Sequence, residues 1–404
     1  MVNDADFTEV LGMAMSHPEE LGLNEVIALL NPPGPAQEMA LWQAAHSVRV
    51  SVMGMCVHMR AIIEFSNYCR QDCLYCGLRR SNNRISRYRM SPDEIVEAAI
   101  EAHSIHPFGT FVLQSGEDPG YAADQLAVAV RRIAETTGSA VTLSIGQMPD
   151  EDYRVLREAG ADRFLLKFET SDERLFRQLK PTTSLEHRLG CLRSLRRMGY
   201  QVGSGIILGL PGQELSSVAA DLLLCRDEDY EMVSIGPFIP HPDTPLGNGE
   251  SGVAGGSPKA GFDTNGTEAS TGAAVLASVR TTIDAVAVAR LLVPRAHMPA
   301  TTALAVMGGN DASWKEIAPS PRLTDARSLA LVSGANVLML DVTPAKYREF
   351  YTIYPGKSGA DGDVISDFVR QAKEDIDALN MTICPGKGDS PKMPWGRGGK
   401  GVDR

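Results

Sequence analysis

The chain has 404 residues and a formal net charge of −11, with a pI near 5.3. That acidic balance argues against nucleic acid or an anionic membrane as the main partner. No apolar run reaches the length of a membrane span, and the opening MVNDADFTEV lacks the basic and apolar regions of a signal peptide, so a cytoplasmic enzyme with a sizeable core is expected. Seven cysteines, three of them clustered, suit a reducing compartment better than a disulfide framework. Cys56, Cys191 and Cys225 read as buried small hydrophobes on amphipathic helices.

In chain order, residues 8–30 and 36–59 carry helical patterns and precede any strand. Apolar strands are then expected at 61–66, 110–115, 140–145, 163–168, 202–208, 232–236, 298–304 and 335–340, with helical patterns filling most of the gaps. Runs such as VTLSI, RFLLKF and NVLML are almost wholly apolar, as strands buried on both faces should be. Strict alternation implies a parallel sheet, and eight strands close a (β/α)8 TIM-type barrel; a doubly wound open sheet is the competing arrangement. The domain plan is an N-terminal helical segment over 1–60, a barrel over 61–357, and a C-terminal helix with a Gly- and Pro-rich basic tail over 358–404. Flexible insertions are expected at 247–272, which is Gly- and Ser-rich, and at 308–324. The tail from Cys384 is expected to pack loosely over a barrel end or to stay disordered.

Directly after the first strand comes EFSNYCRQDCLYCGLRR, which places Cys69, Cys73 and Cys76 on one tight loop. Three thiolates hold a cubane iron–sulfur cluster and leave one iron free for a small molecule. A zinc site of three Cys and one His, with His58 or His103 as the fourth ligand, is the alternative. Chemistry in a closed barrel collects at the C-terminal ends of the strands. There strand 2 ends in Gln114-Ser115-Gly116-Glu117, and strand 4 in Lys167-Phe168-Glu169-Thr170. Strand 5 runs into Gly205-Ile206-Ile207-Leu208-Gly209, whose glycines let backbone approach a ligand, and strand 7 ends in Thr301-Thr302. Each has a bland reading as well: Glu169 could simply pair with Arg188, and the glycines could simply turn the chain.

Further motifs, among them RYRMSPDEI, LLKFETSD, GPFIPHPDTPLG, MPATTAL and ANVLMLDVTPAKYREFYTIYPGK, resemble those of the HydE-type FeFe-hydrogenase maturases over roughly residues 61–357. These are radical S-adenosylmethionine (radical SAM) enzymes in the wider group of biotin synthase and methylornithine synthase. The resemblance implies one 4Fe-4S cluster on Cys69, Cys73 and Cys76, which reductively cleaves S-adenosylmethionine to a 5′-deoxyadenosyl radical. It implies that Tyr75 meets the adenine by its backbone and that Ser115, Gly116 and Glu117 hold the methionine amino group. Glu169 and Arg188 would contact S-adenosylmethionine, and Gly205, Ile207 and Gly209 would pack against adenine. Gln114, Thr142, Thr301, Thr302, Tyr347 and Arg348 would face the substrate. Lys167 stands where an arginine is expected to grip the substrate's anionic end; lysine keeps the charge and loses the planar fork.

By the same resemblance the substrate is a cysteine-bound iron carbonyl cyanide complex used to build the dinuclear subsite of the hydrogenase H-cluster. Implied partners are other hydrogenase maturation proteins and an electron donor such as ferredoxin or flavodoxin. A C-terminal region with Cys384 alone points to a single cluster. A radical SAM mutase or methylornithine-synthase-like enzyme acting on an amino acid is the first alternative. A non-catalytic iron–sulfur metallochaperone is the alternative of another class, needing the cysteines but not Glu117, Glu169 or Arg188.

Overall fold

The computed structural model describes residues 4–249, 278–310, 312–357 and 364–392. Three helices come first: α1 (Asp4–Ser16), α2 (Leu23–Leu30) and α3 (Pro35–Met53). Helix α3 stops six residues short of the expected 59. Gly54 takes a positive φ of 77°, which a side chain would resist, and the Arg49 guanidinium binds the carbonyls of Gly54 and Cys56. The chain released there extends the first strand backwards, so β1 runs Cys56–Ser66 instead of 61–66.

Seven more parallel strands follow: β2 (Thr110–Ser115), β3 (Ala140–Ser144), β4 (Ala161–Leu165), β5 (Gln201–Leu208), β6 (Met232–Pro237), β7 (Pro299–Ala300) and β8 (Val337–Asp341). Their order is β6-β5-β4-β3-β2-β1-β8-β7. The outer members meet through a parallel bridge between Met232 and His297. Val233 N–H donates to the His297 carbonyl, and His297 N–H to that of Glu231, at 2.9 Å each. The sheet therefore curls shut at its base, which a doubly wound open sheet does not do, and the fold is a (β/α)8 barrel.

Two strands depart from expectation. The fourth leaves the ladder after Leu165, so Leu166–Phe168 lie beyond it and Glu169 turns to φ 71°. The seventh is two residues long because Thr302–Asn310 coils into helix instead of continuing as strand. The stretch expected to be irregular from 308 is thus partly helical, and its Trp314 is buried with the indole N–H on the Gly308 carbonyl. The insertion expected at 247–272 lies, from residue 250 on, outside the described residues.

Cys56 and Cys384 overturn two expectations. Cys56 opens a strand and is disulfide-bonded to Cys384, while Cys191 and Cys225 are buried thiols on α8 (Leu185–Arg197) and α9 (Leu215–Asp227). Strand β9 (Thr382–Ile383) adds to the start of β1, and the following tail packs over the base of the barrel, one of the two placements expected, but is tied down there rather than loose. Asp389 receives the Arg163 guanidinium at 2.6 Å, Lys387 offers its carbonyl to Thr110 and Arg163, and Gln201 binds both Asp389 and Ser390. Beyond Lys392 the tail lies outside the described residues.

The N-terminal helices are fastened to the barrel through α10 (Val279–Leu292). The Trp42 indole donates to Asp284 at 2.7 Å, and Arg280 pairs with Glu38. Burial pushes the Asp284 carboxyl up to about 7 against the hydrogen bond from Trp42. A carboxyl raised above its unfolded value contributes stability that is complete below about pH 4 and lost as pH rises through about 7. Wild-type protein should therefore lose thermal stability from pH 5 to pH 8 by up to a few kcal/mol. Asp284→Asn, which keeps the acceptor for Trp42, should flatten that slope; parallel melting curves across this range test it.

Candidate active site

The residues at the C-terminal mouth of the barrel surround a cavity of about 340 Å³, within the usual range for a small-molecule site. Cys69, Cys73 and Cys76 border it, on a loop fastened from several sides. Leu74 N–H donates to the Leu179 carbonyl at 2.9 Å, and Leu246 N–H to that of Leu74 at 3.1 Å. Leu74 and Tyr75 pack on an apolar cluster of Leu175, Leu179, Leu210, Phe238 and Leu246. Gly116 brings the end of β2 against the same loop: a Cβ there would fall 2.2 Å from the Tyr68 carbonyl oxygen.

The donor set fits a cluster rather than a single ion. Among the described residues, no group of three ligand atoms that includes these cysteines draws within 4.8 Å of one another. Three thiolates on one tetrahedral zinc stand only about 3.8 Å apart. His58 sits on β1 eight residues before Ser66, roughly 26 Å down the strand, edge-on to His297 at the barrel base. His103 packs near Phe111 on the outer helix α4 (Pro92–Ile105). Burial pushes the Cys69 thiol up to about 11, with Cys73 adding and the backbone N–H groups of Gln71 and Glu117 opposing; burial likewise raises Cys76. Loading metal on this loop therefore releases protons.

Above the loop, Glu117 accepts from Gln71 at 2.5 Å and from Arg70 and Arg188 at 3.3 Å each. Burial alone would raise its pKa; Arg188 and Gln71 outweigh it and hold the carboxyl below its usual value. Gly146, at φ 80°, makes room: a Cβ there would meet the Glu117 side chain at 1.9 Å. Arg188 thus pairs with Glu117, and its Nε donates to the Lys167 carbonyl at 2.5 Å. Glu169 takes the Tyr75 hydroxyl at 3.3 Å on Oε1, while its buried Oε2 has no partner among the described residues. A buried carboxylate oxygen in a strained left-handed residue, facing a cavity, fits a ligand that brings a donor. Lys167 also lines the cavity and makes no hydrogen bond to the described residues; burial lowers its pKa, with Glu169 opposing.

The cavity brings together Gln114, Ser115, Gly116, Glu117, Lys167 and Glu169 with Tyr75, Arg188, Ile207, Thr301 and Thr302. It leaves out five expected residues. Gly205 faces the Ser234 backbone, where a Cβ would fall 1.9 Å from the carbonyl oxygen, so it serves the β5–β6 contact. Gly209, at φ 83°, gives its N–H to Gln213. Thr142 is buried inside β3, away from the lining. Tyr347 stacks on Tyr88 and donates to Glu94 on the outside. Arg348 binds the Thr343 carbonyl and lies over the Phe368 ring.

Sequence reasoning missed a buried triad on the opposite wall. Lys357 Nζ lies 2.5 Å from Glu64 and 3.2 Å from Asp341, and Gln114 donates to the other Glu64 oxygen at 3.3 Å. Burial pushes Glu64 up to about 8, against Lys357 and with Asp341. Burial would raise Asp341 too, but Lys357 and Thr343 hold it low. A glutamate inside the apolar run AIIEF was the available signal, since an unpaired charge is not kept there. Lys180, 3.3 Å from the Cys73 sulfur, was missed as well.

With this geometry, the comparisons with known proteins agree. A model of the radical SAM superfamily matches residues 63–225. The [FeFe] hydrogenase maturase subunit HydE of Thermotoga maritima is 44% identical over 320 residues, 79% of each chain. A 3-methylornithine synthase of Methanosarcina acetivorans is 30% identical over 231 residues, 56% of this chain and 65% of that one. The crystal structure of methylornithine synthase (PylB) has a TM-score of 0.70 at 23% identity, covering 93% of this chain and 97% of its own, a likeness of fold alone. Barrel and three-cysteine loop are those of a radical SAM enzyme. Within that class the chain belongs to the HydE family of [FeFe]-hydrogenase maturases.

Lys357→Met would leave Glu64 and Asp341 facing each other without their shared cation, at a cost of about 3–5 kcal/mol. A lower urea midpoint at unchanged slope is expected, and adding Glu64→Gln should recover part of the loss.

Proposed function

We propose that this chain binds one 4Fe-4S cluster on Cys69, Cys73 and Cys76 together with S-adenosylmethionine, and acts on a cysteine-bound iron carbonyl cyanide complex during H-cluster assembly. The observation that carries the reading is the three-cysteine loop opening onto a cavity with an orphaned Glu169 oxygen, in a chain 44% identical to a HydE. When bound, cluster and S-adenosylmethionine supply one-electron cleavage of the sulfonium and thereby a 5′-deoxyadenosyl radical.

The protein's residues bind, orient and exclude water. Arg188, braced by Glu117, offers a planar fork to the methionine carboxylate. Ser115, Gly116 and Glu117 receive the amino group, Glu169 Oε2 accepts from a donor on the ligand, and Tyr75 and Ile207 flank the adenine. Gln114, Thr301 and Thr302 bind the substrate, whose carboxylate meets Lys167 as a single charged contact. Apolar walls and the tail across the barrel base keep water from the radical. The substrate would come from a partner maturase, and the electron from ferredoxin or flavodoxin. Similarity to 3-methylornithine synthase favours an amino-acid rearrangement as the second reading; products from lysine would reveal it.

In anaerobic in vitro maturation of an FeFe hydrogenase, with this protein as the sole candidate for its step, wild type should yield hydrogenase activity and 5′-deoxyadenosine. Cys73→Ser should yield neither. Arg188→Met should lower deoxyadenosine formation roughly ten- to hundredfold; an unaffected variant would favour a carrier of clusters over an enzyme. Deoxyadenosine without hydrogenase activity would place the substrate elsewhere.

A further inference from the structure

Lys180 ends the short helix α7 (Glu173–Leu179) as its C-cap and is 3% exposed. Its ammonium lies 3.3 Å from the Cys73 sulfur and 3.1 Å from the Tyr75 hydroxyl. No carboxylate of the described residues pairs with it. Glu117, whose carboxyl feels its charge, is already taken by Arg188, and Glu169 reaches the ammonium only through the Tyr75 hydroxyl. A buried ammonium whose partners are a thiol and a phenol is missing its counter-charge, and such a cation is costly to keep. The placement is not accidental slack. The Leu74–Leu179 backbone hydrogen bond joins the residue after Cys73 to the residue before Lys180, and Leu175 and Leu179 anchor the helix in the apolar cluster beneath the loop.

We propose that Lys180 is a positioning residue that donates a charge-assisted hydrogen bond to the Cys73 thiolate and thereby sets the potential at which the cluster is reduced. The inference rests on the cluster reading above. A cubane on three thiolates is singly anionic and becomes doubly anionic on reduction. The cation therefore favours the reduced form and raises the potential, as hydrogen bonds and net charge do in such centres. The external donor supplies the one electron, and no proton leaves Lys180. Of the other cations near the loop, Arg87 spends its guanidinium on the carbonyls of Asn67, Leu78, Arg79 and Asn82. Arg70 and Arg188 both serve Glu117. The sequence LKPTT thus carries a function that the cysteine motif does not announce.

The test is an anaerobic redox titration of the reconstituted full-length protein, following the reduced cluster by electron paramagnetic resonance. A charge-assisted hydrogen bond accounts for at least about tenfold in an equilibrium. Lys180→Met should therefore shift the midpoint at least about 59 mV more negative, the one-electron equivalent of tenfold. Lys180→Arg, which keeps charge and donor, should stay closer to wild type. A Lys180→Met cluster of normal intensity titrating with the wild type would overturn the inference. So would loss of the cluster in both variants, which would make Lys180 merely structural. If the wild type itself assembled no 4Fe-4S signal, the cluster reading would fall instead, and the two failures are distinct.

Discussion

The mouth of this barrel is organised around one carboxylate. Glu117 ends the second strand's turn, gives its backbone N–H to the Cys69 sulfur at 3.4 Å and its carbonyl to Arg70 N–H at 2.8 Å. Its side chain meanwhile collects Gln71, Arg70 and Arg188. Loop, strand β2 and helix α8 are therefore joined through a single residue. Such a hub is stable only if every polar atom around it is satisfied, because a half-paired buried network is worse than an apolar one. Gly146 and Gly116 are the conditions for it: one leaves the volume that Glu117 fills, the other lets β2 reach the cysteine loop. Arg188, held by that carboxylate, keeps one fixed orientation toward the cavity.

The two ends of the barrel solve opposite problems. At the base, Arg60, Arg163, His58 and His297 gather under the strands, and burial together with neighbouring arginines lowers both histidines, His58 to about 4. The tail answers with Asp389 and with carbonyls, and its course is secured by β9 pairing and by the Cys56–Cys384 bond. That end is filled, although the Arg60 Nε there is buried without a partner among the described residues. At the mouth, Glu169 Oε2 and Thr301 Oγ1 are buried without partners among the described residues and border the cavity, as Lys167 does. At the mouth, unlike elsewhere, such groups border a cavity where a ligand can satisfy them.

Much of this was legible from residue order, for identifiable reasons. Parallel strands buried on both faces announce themselves as apolar runs, and the barrel rule then places Cys69, Ser115, Glu117 and Glu169 on one face. Less legible were features that depend on long-range pairing. Nothing in the local pattern around Cys56 distinguishes a helix tail from a strand start; the pairing with Thr382, more than 300 residues on, decides it. Thr302 follows a strand in sequence yet begins a helix, since TALAVMG has helical propensity once Pro299 and Ala300 have paired. The resemblance points Tyr347 toward the cavity, but stacking on Tyr88 turns it outward. The Glu64–Lys357 pair spans almost the whole barrel sequence and could be inferred only from the oddness of a charge within AIIEF.

The cavity's charges also bear on the arginine-to-lysine difference. Lys167 follows β4, and Asp341 ends β8, four strands away in a ring of eight, so the two stand on opposite walls. Lys167 and the Glu64–Lys357–Asp341 triad thus face one another across the cavity. An arginine at 167 would need two aligned acceptors to use its fork, whereas a lysine is a point charge that can follow a smaller or differently angled group. Its backbone carbonyl is held by Arg188 at 2.5 Å, so the amine extends from a fixed base. In the proposed reading, an anionic group held by Lys167 is oriented by what stands across from it. Selectivity is then a property of both walls, with Glu64 on β1, Asp341 on β8 and the later Lys357 counted together with Lys167.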